Sequence, residues 1–485
     1  MAESLKNKAF SGMVWVGLEK FALQIFAFIQ GVIMARLLMP SDYGLVAMTG
    51  VFFSISYTFI DSGFSNALIR KKDLIPVDYS TVYVTNVILS LFFAILLCLC
   101  SSLIANFYKE PILQQIVCVD ALSLFLGSFL AVQGVRLQVN LNFKVLSIIT
   151  VAENVIGGIA SIVLAFLGFG VWSLVYPAFV KIVVKAVLFW YYQRWFPGIR
   201  FSKQSFKELF AYGSKLLISR LIDSIYNNIY PLVIGKKFSS KDLGFYTKAT
   251  GYANLPAMTV SDVLGRVTFP VLAKLQDDEP TLQRVYRRMI RLSAYVLFPI
   301  MVGVSVLAYP LIVLLIGIKW EPSVIYLQIL CFVLMWYPIH ALNLNLLQVK
   351  GRSDLFLRLE IIKKIVGVII LVITVPMGLI AMCVGGIFSS IICLAINTYY
   401  TGKLINVGFF KQMKDLLPTL IYSLSMGVVI YWSVYFISSL WLKLIIGLIV
   451  GVVFYFGLSK LTKSQDLVYL KELLQENILS RWKKQ

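Results

Sequence analysis

Long apolar stretches of this 485-residue chain are interrupted by four short polar stripes. One carries Arg220, Asp223, Asn227 and Tyr230, spaced by three, four and three so that all fall on one face of a helix, with Lys215 nearer the start of the same stretch. A second carries Ser54, Thr58, Asp61 and Ser65, a third Thr259, Asp262 and Arg266, and a fourth Lys20, Gln24, Ala27 and Gly31. A cation at mid-bilayer costs about 2.5–3.5 kcal/mol, so each one kept there needs an acid partner or a polar ligand. Structural pairing is open to several of them: Asp262 and Arg266 are four apart, Arg220 and Asp223 three apart, and Glu19 adjoins Lys20. Helix packing alone would be met by Gly, Ala and Ser. Four such stripes therefore point to a central hydrated cavity with cationic character in its inner half, suited to an anionic headgroup. Phosphate is the natural ligand, because Lys and Arg are its usual partners. The substrate-binding candidates are Lys20, Gln24, Asp61, Lys215, Arg220, Asp223, Asn227, Asp262 and Arg266. Asp120, Glu153 and Glu360 are further intramembrane acids that could bind a coupling proton or sodium ion, with helix-to-helix pairing as the alternative. No metal-ligand spacing and no resident cofactor are indicated.

The elements that must hold these residues follow from composition. Hydrophobic residues make up 59% of the chain and charged ones 14%, where soluble domains run near 45–50% and 25%. No soluble interior of this size hides that much apolar surface, and the mean hydropathy of +0.84 excludes disorder. A bilayer core about 30 Å thick takes about 20 helical residues to cross. Apolar runs bounded by charge, Pro or Gly number about fourteen: 10–35, 45–66, 79–104, 112–134, 145–167, 171–192, 212–234, 247–270, 290–316, 323–347, 356–376, 378–400, 416–438 and 441–458. The chain is expected to be an all-α polytopic membrane protein. Its connections leave no room for an aqueous domain. The first apolar segment, long and without a cleavage site, is expected to stay attached as the first span. Six cysteines without paired spacing read as small hydrophobes.

Lys and Arg outnumber Asp and Glu by 44 to 23, a net charge of +21. A nucleic-acid footprint needs a basic face on a soluble domain, so the excess reads instead as positive-inside topology and attraction to anionic lipid. Placing both termini in the cytoplasm puts most loop cations on that side. The opposite side keeps only Arg36, Lys109, Lys236, Lys237, Lys241, Lys319 and Lys443. Beyond the last span, Leu467, Leu470, Leu474 and Ile478 fall on one face of a tail that reads as an interfacial amphipathic helix.

Two stretches repeat at an offset near two hundred. ARLLMPSDYG, with Asp42 and Gly44, matches GKKFSSKDLG, with Asp242 and Gly244; Leu137-Gln138-Val139 matches Leu347-Gln348-Val349, and Gly157 then falls on Gly367. The order of the matches implies a six-span N-lobe over 1–200 and a six-span C-lobe over 201–402, followed by two added spans over 403–458 and the interfacial tail over 459–485. Six is even, so the two lobes run in the same direction, an arrangement that in transporters puts the substrate path between the halves.

These residues also carry a family resemblance. ARLLMPSDYGLVAM after the first span, DSGFSNALIRKKD, GVWSLV, FPVLAKLQDD and LQVKGRSDLFLRLEIIKK together resemble the polysaccharide-exporter branch of the multidrug/oligosaccharidyl-lipid/polysaccharide superfamily, and within it Wzx-type flippases of the colanic-acid exporter kind. The resemblance implies two six-helix lobes in a V shape, alternating access, and movement of a polyprenyl-diphosphate-linked oligosaccharide from the cytoplasmic to the periplasmic leaflet of the cell inner membrane. The expected partners are undecaprenyl-diphosphate-linked oligosaccharide, anionic membrane lipids and other polysaccharide-assembly proteins. Basic residues of helices one, two, seven and eight line the cavity in related flippases; the matching helices here offer Lys20, Lys215, Arg220 and Arg266, while span two carries Asp61 and no deep cation. The last two spans resemble those that form a groove for the polyprenyl tail. A multidrug antiporter of the same fold is the alternative, disfavoured by the cationic stripes. A membrane glycosyltransferase or polymerase would need an aqueous loop that the chain lacks.

Overall fold

A computed structural model of the chain describes residues 2–472; the side chains of 2–11, 13, 14, 263, 266 and 267 lie outside the described residues. In chain order the helices are α1 (Ala2–Leu37), α2 (Pro40–Asp61), α3 (Phe64–Arg70), α4 (Pro76–Tyr108), α5 (Ile112–Ser128), α6 (Ala131–Val139), α7 (Phe143–Phe166), α8 (Trp172–Val175), α9 (Pro177–Gln193) and α10 (Lys203–Lys237). There follow α11 (Ser240–Lys274), α12 (Glu279–Val306), α13 (Ala308–Ile316), α14 (Ser323–Leu334), α15 (Tyr337–Val349), α16 (Ser353–Thr374), α17 (Leu379–Ile405), α18 (Phe409–Tyr435) and α19 (Leu440–Leu461). No strand occurs among the described residues.

Among the described residues, eleven helical segments are long and apolar enough to cross a membrane. The three expected spans outside that set are α10 and α11, of 35 residues each, and α16, of 22. Length is not what they lack. They are the helices that carry Lys215, Arg220 and Asp223, then Lys248, Asp262 and Arg266, then Glu360, Lys363 and Lys364. The shortfall against the fourteen expected spans thus falls on charged helices that need polar surroundings.

Helix starts follow from local chemistry. Pro40 opens α2, and the Asp42 carboxylate accepts the Met39 amide at 2.9 Å; Pro76 opens α4, and Asp78 accepts the Ile75 amide at 3.1 Å. At the start of α11, Ser239 accepts the Asp242 amide at 3.1 Å and donates to the Asp242 carboxylate at 2.7 Å.

The internal repeat is written into the backbone. Residues of positive φ recur in order as Lys109 with Gly317, Leu141 with Gly351, Gly168 with Gly378, and Arg194 with Asn406. At the second of these pairs the closing bonds are alike: Asn142 N donates to the Leu137 carbonyl at 2.8 Å, and Arg352 N to the Leu347 carbonyl at 2.8 Å. Both are helix ends closed by a residue in the left-handed region. The fourth span of each repeat is also broken mid-way, into α5 and α6 and into α14 and α15.

Packing divides the chain into two compact units, Met1–Gly244 and Phe245–Gln485. In the first, α1 lies on α7, α7 on α9, α4 on α5, and α2 on α4, α5 and α10. In the second, α12 packs on α14 and α18, α18 on α19, and α17 on α14, α15 and α16. A buried polar knot pins the second unit: Asn343 donates to Gln412 at 3.0 Å and accepts from Thr401 at 3.0 Å, while His340 bridges Ser390 and Asn397.

Candidate functional site

The charged stripes of α2 and α10 meet along one seam in the first unit. Glycines let the two backbones approach: a Cβ on Gly213 would collide with the Ser62 carbonyl, and one on Gly63 with the Gly213 backbone. At the far end the repeat motif packs against its own copy, Gly44 against the Ser240 carbonyl and Gly244 against the Pro40 carbonyl. Between these ends the seam is polar. Ser54 and Ser224 share a hydroxyl hydrogen bond at 2.5 Å, and Asn228 Nδ2 donates to Ser54 Oγ at 3.2 Å. Arg220 forms an ion pair with Asp61, whose other oxygen accepts the Ser65 hydroxyl at 2.5 Å. The Arg220 side chain stays 43% exposed and the Asp61 side chain 31%. On α10, Lys215, Asp223 and Asn227 are exposed and Tyr230 is half-buried, while Lys20 and Gln24 on α1 are exposed. In the second unit Asp262 is exposed on α11, and the Arg266 side chain lies outside the described residues.

Elsewhere in the first unit, polar groups join α1, α7 and α9. Ser147 donates to Glu19 at 2.5 Å, Lys181 to Asn154 at 3.1 Å, and Lys185 pairs with Glu153 at 3.4 Å. Gly157 makes room for the Lys181 stem. On α16, Glu360 pairs with Lys363 one turn away. Two of the three candidate coupling acids thus have lysine partners. Asp120, on α5, has neither a hydrogen bond nor an ion pair to its carboxylate among the described residues, and it lies within electrostatic reach of Tyr57 on α2.

The second unit offers a surface of opposite character, an apolar groove of about 880 Å³ walled by α12, α13, α18 and α19. Pro299, Leu311, Met426, Trp441, Leu448 and Phe456 are among its lining residues. From Trp441 to Phe456 it follows α19 for about 22 Å, most of a hydrocarbon core. Small residues shape its floor: Gly447 sits against Leu307 and Ile430, and Gly451 against Ile430.

Residues 33–325, more than half of the chain, match the family model described as "Polysaccharide biosynthesis protein". The chain belongs to this family. Among its relatives are the lipopolysaccharide biosynthesis protein WzxC of Escherichia coli, 24% identical over 88% of this chain and 89% of that one, and the teichuronic acid biosynthesis protein TuaB of Bacillus subtilis, 24% identical over 73% of each. Among solved structures, the lipid II flippase MurJ in an inward closed conformation superposes with a TM-score of 0.76 at 17% identity, over 94% of this chain and all of the other. A multidrug MATE transporter in its inward-facing conformation follows at 0.61, with 18% identity over 82% of this chain. These likenesses show an all-helical fold of the kind that the flippase and the transporter share.

In this polysaccharide biosynthesis protein the sequence stripes locate the charged side chains but not their partners. Arg220 reaches across to Asp61 on another helix. Ser54 falls in the second stripe, but Ser224 and Asn228, which join α10 to it, escape a search for charges; their only signal is their four-residue spacing beside the charged stripe of α10. Lys181 and Lys185 are likewise one turn apart, and they bond two neighbouring residues of α7, Asn154 and Glu153.

Proposed function

We infer that this member of the polysaccharide biosynthesis family is a flippase that moves a lipid-linked oligosaccharide across the membrane in which it is embedded. The observation that carries the reading is the coexistence, in one chain, of exposed charged helix faces in the first unit and a long apolar groove in the second. A sugar diphosphate cannot cross hydrocarbon unaided, whereas its lipid tail never has to leave it. The protein therefore needs to wet only the headgroup, and a groove open along its length suits the tail.

Undecaprenyl diphosphate is the carrier that fits both surfaces, with Lys20, Lys215, Arg220 and Arg266 as the cations offered to its phosphates. With both termini in the cytoplasm, as the loop cations favour, the substrate enters from the cytoplasmic leaflet of the inner membrane and leaves in the periplasmic one. Asp120 is the acid assigned to a coupling proton or sodium ion, since Glu153 and Glu360 are held by lysines. Transport by D120N is expected to lose its dependence on an ion gradient; a gradient response equal to wild type would remove that assignment. An organic-cation antiporter would favour an acidic, aromatic cavity, against the grain of these cations.

The test is a depletion strain. Loss of the protein is expected to trap lipid-linked oligosaccharide on the inner leaflet and to strip the surface of the corresponding glycan. Normal surface glycan after depletion would reject the reading.

A further inference from the structure

The lining of the groove on α12 begins at Tyr295, and one to two turns before it the helix carries Arg288 and Arg291. Their side chains are 41% and 28% exposed. Both are engaged by the helical residues 465–472 that follow α19. Arg291 pairs with Asp466 at 3.3 Å, Arg288 pairs with Glu472 at 3.5 Å, and the Arg288 guanidinium lies over the Tyr469 ring. The same segment inserts Leu467 and Leu470 into the cluster of Tyr295, Val302, Met426 and Tyr455, and Leu470 is itself part of the groove wall. Arg287, beside them, is committed elsewhere, to a two-pronged bond with Asp415 at 2.7 and 2.6 Å.

We propose that Arg288 and Arg291 form a diphosphate site beside the groove, and that residues 465–472 are a strap whose two acids occupy it until an isoprenoid diphosphate takes their place. The proposal rests on the flippase reading and extends it to a station where the lipid docks before transport. An apolar channel about 22 Å long, with two arginines on α12 one to two turns before its lining begins, matches an amphiphile with a long chain and a compact anionic head. The carboxylates of Asp466 and Glu472 present the arginines with the oxygens that phosphates would otherwise supply. The strap makes few attachments besides these: two leucines, two ion pairs and one ring contact among its described residues. A ligand that fills the groove displaces Leu470 and competes for both arginines at once.

The test measures binding of geranylgeranyl diphosphate, and of geranylgeraniol as the uncharged control, to the full-length protein in nanodiscs of phosphatidylglycerol. Undocking the strap with L467D is expected to tighten the diphosphate several-fold and to make a cysteine at Tyr469 (Y469C) more reactive to a soluble maleimide. R288A/R291A is expected to weaken the diphosphate by about tenfold in the L467D background and not to weaken geranylgeraniol in either background. Should L467D fail to fold, L470S supplies a milder undocking in which R288A/R291A reads the site. Equal diphosphate affinity with and without the arginines in the undocked chain overturns the proposal, as does equal loss of the alcohol. Competition by phosphatidylglycerol strong enough to abolish binding would assign the arginines to the bulk leaflet and also overturn it. Failure of the flippase reading is seen separately, as a wild-type chain that binds the diphosphate yet moves no lipid-linked oligosaccharide.

Discussion

A guanidinium carries five N–H donors, and Asp61 occupies only part of the Arg220 fork. With nearly half of that side chain exposed, the pair contributes on the order of 0.2–1 kcal/mol to stability, too little to explain why a cation is kept in a membrane helix. R220E should therefore change the melting temperature little while lowering transport by about tenfold or more, since charge-assisted contacts to phosphate are worth ~1.5–3 kcal/mol. The exchange D61R/R220D separates the two roles. It restores the ion pair but moves the cation to α2, so transport should stay low in a whole-cell glycan assay; recovery to wild type would make the pair structural. The residue types of this site were legible in the sequence, because a charge every third or fourth residue within an apolar run has few explanations. The partner was not, since Asp61 and Arg220 lie on helices 159 positions apart and periodicity reports only on neighbours within one helix.

At the scale of elements, the seam between α2 and α10 is set by the absence of side chains. Gly44 and Gly244, matched in the repeat, each press on the backbone that opens the other's helix. G44V should force the two starts apart and cost on the order of 1–3 kcal/mol, read as a lowered melting temperature of the purified protein. The same change at Gly251, where a Cβ meets nothing within 4 Å, should cost much less. The strap makes a second prediction at this scale. Burial raises the Asp466 carboxyl above its ordinary value, with Asp415 adding to the rise and Arg291 and Arg288 opposing it. A carboxyl whose pKa is raised in the docked state favours docking when protonated. For Asp466 alone, docking should loosen as pH climbs through the raised value, followed by the maleimide reactivity of Y469C; a reactivity flat across that window would contradict it. Repeats of this kind were partly visible beforehand. Gly44 and Gly244 could be aligned by eye, whereas Leu141 with Gly351 and Arg194 with Asn406 share a left-handed backbone without sharing a residue type.

For the molecule as a whole, hydropathy read the all-helical membrane class directly, and it fell short where function intervenes, on α10, α11 and α16. A helix that must carry Lys215 or Glu360 cannot also look like a lipid-facing span. The groove was invisible from composition, because the leucines that line it are indistinguishable in sequence from those that face lipid; only the arrangement of α12, α13, α18 and α19 makes it a channel. Filling it with L448W/V452W should slow transport by about tenfold, ~1.4 kcal/mol of lost productive binding, without loss of monodisperse protein. The most direct test of the flippase assignment is reconstitution. Purified protein in liposomes loaded with a fluorescent undecaprenyl-diphosphate oligosaccharide should carry the label from one leaflet to the other, seen as a growing fraction accessible to an external quencher, and R220E should slow it by about tenfold. Equal accessibility with and without the protein, in vesicles where it is folded and correctly inserted, would contradict the assignment.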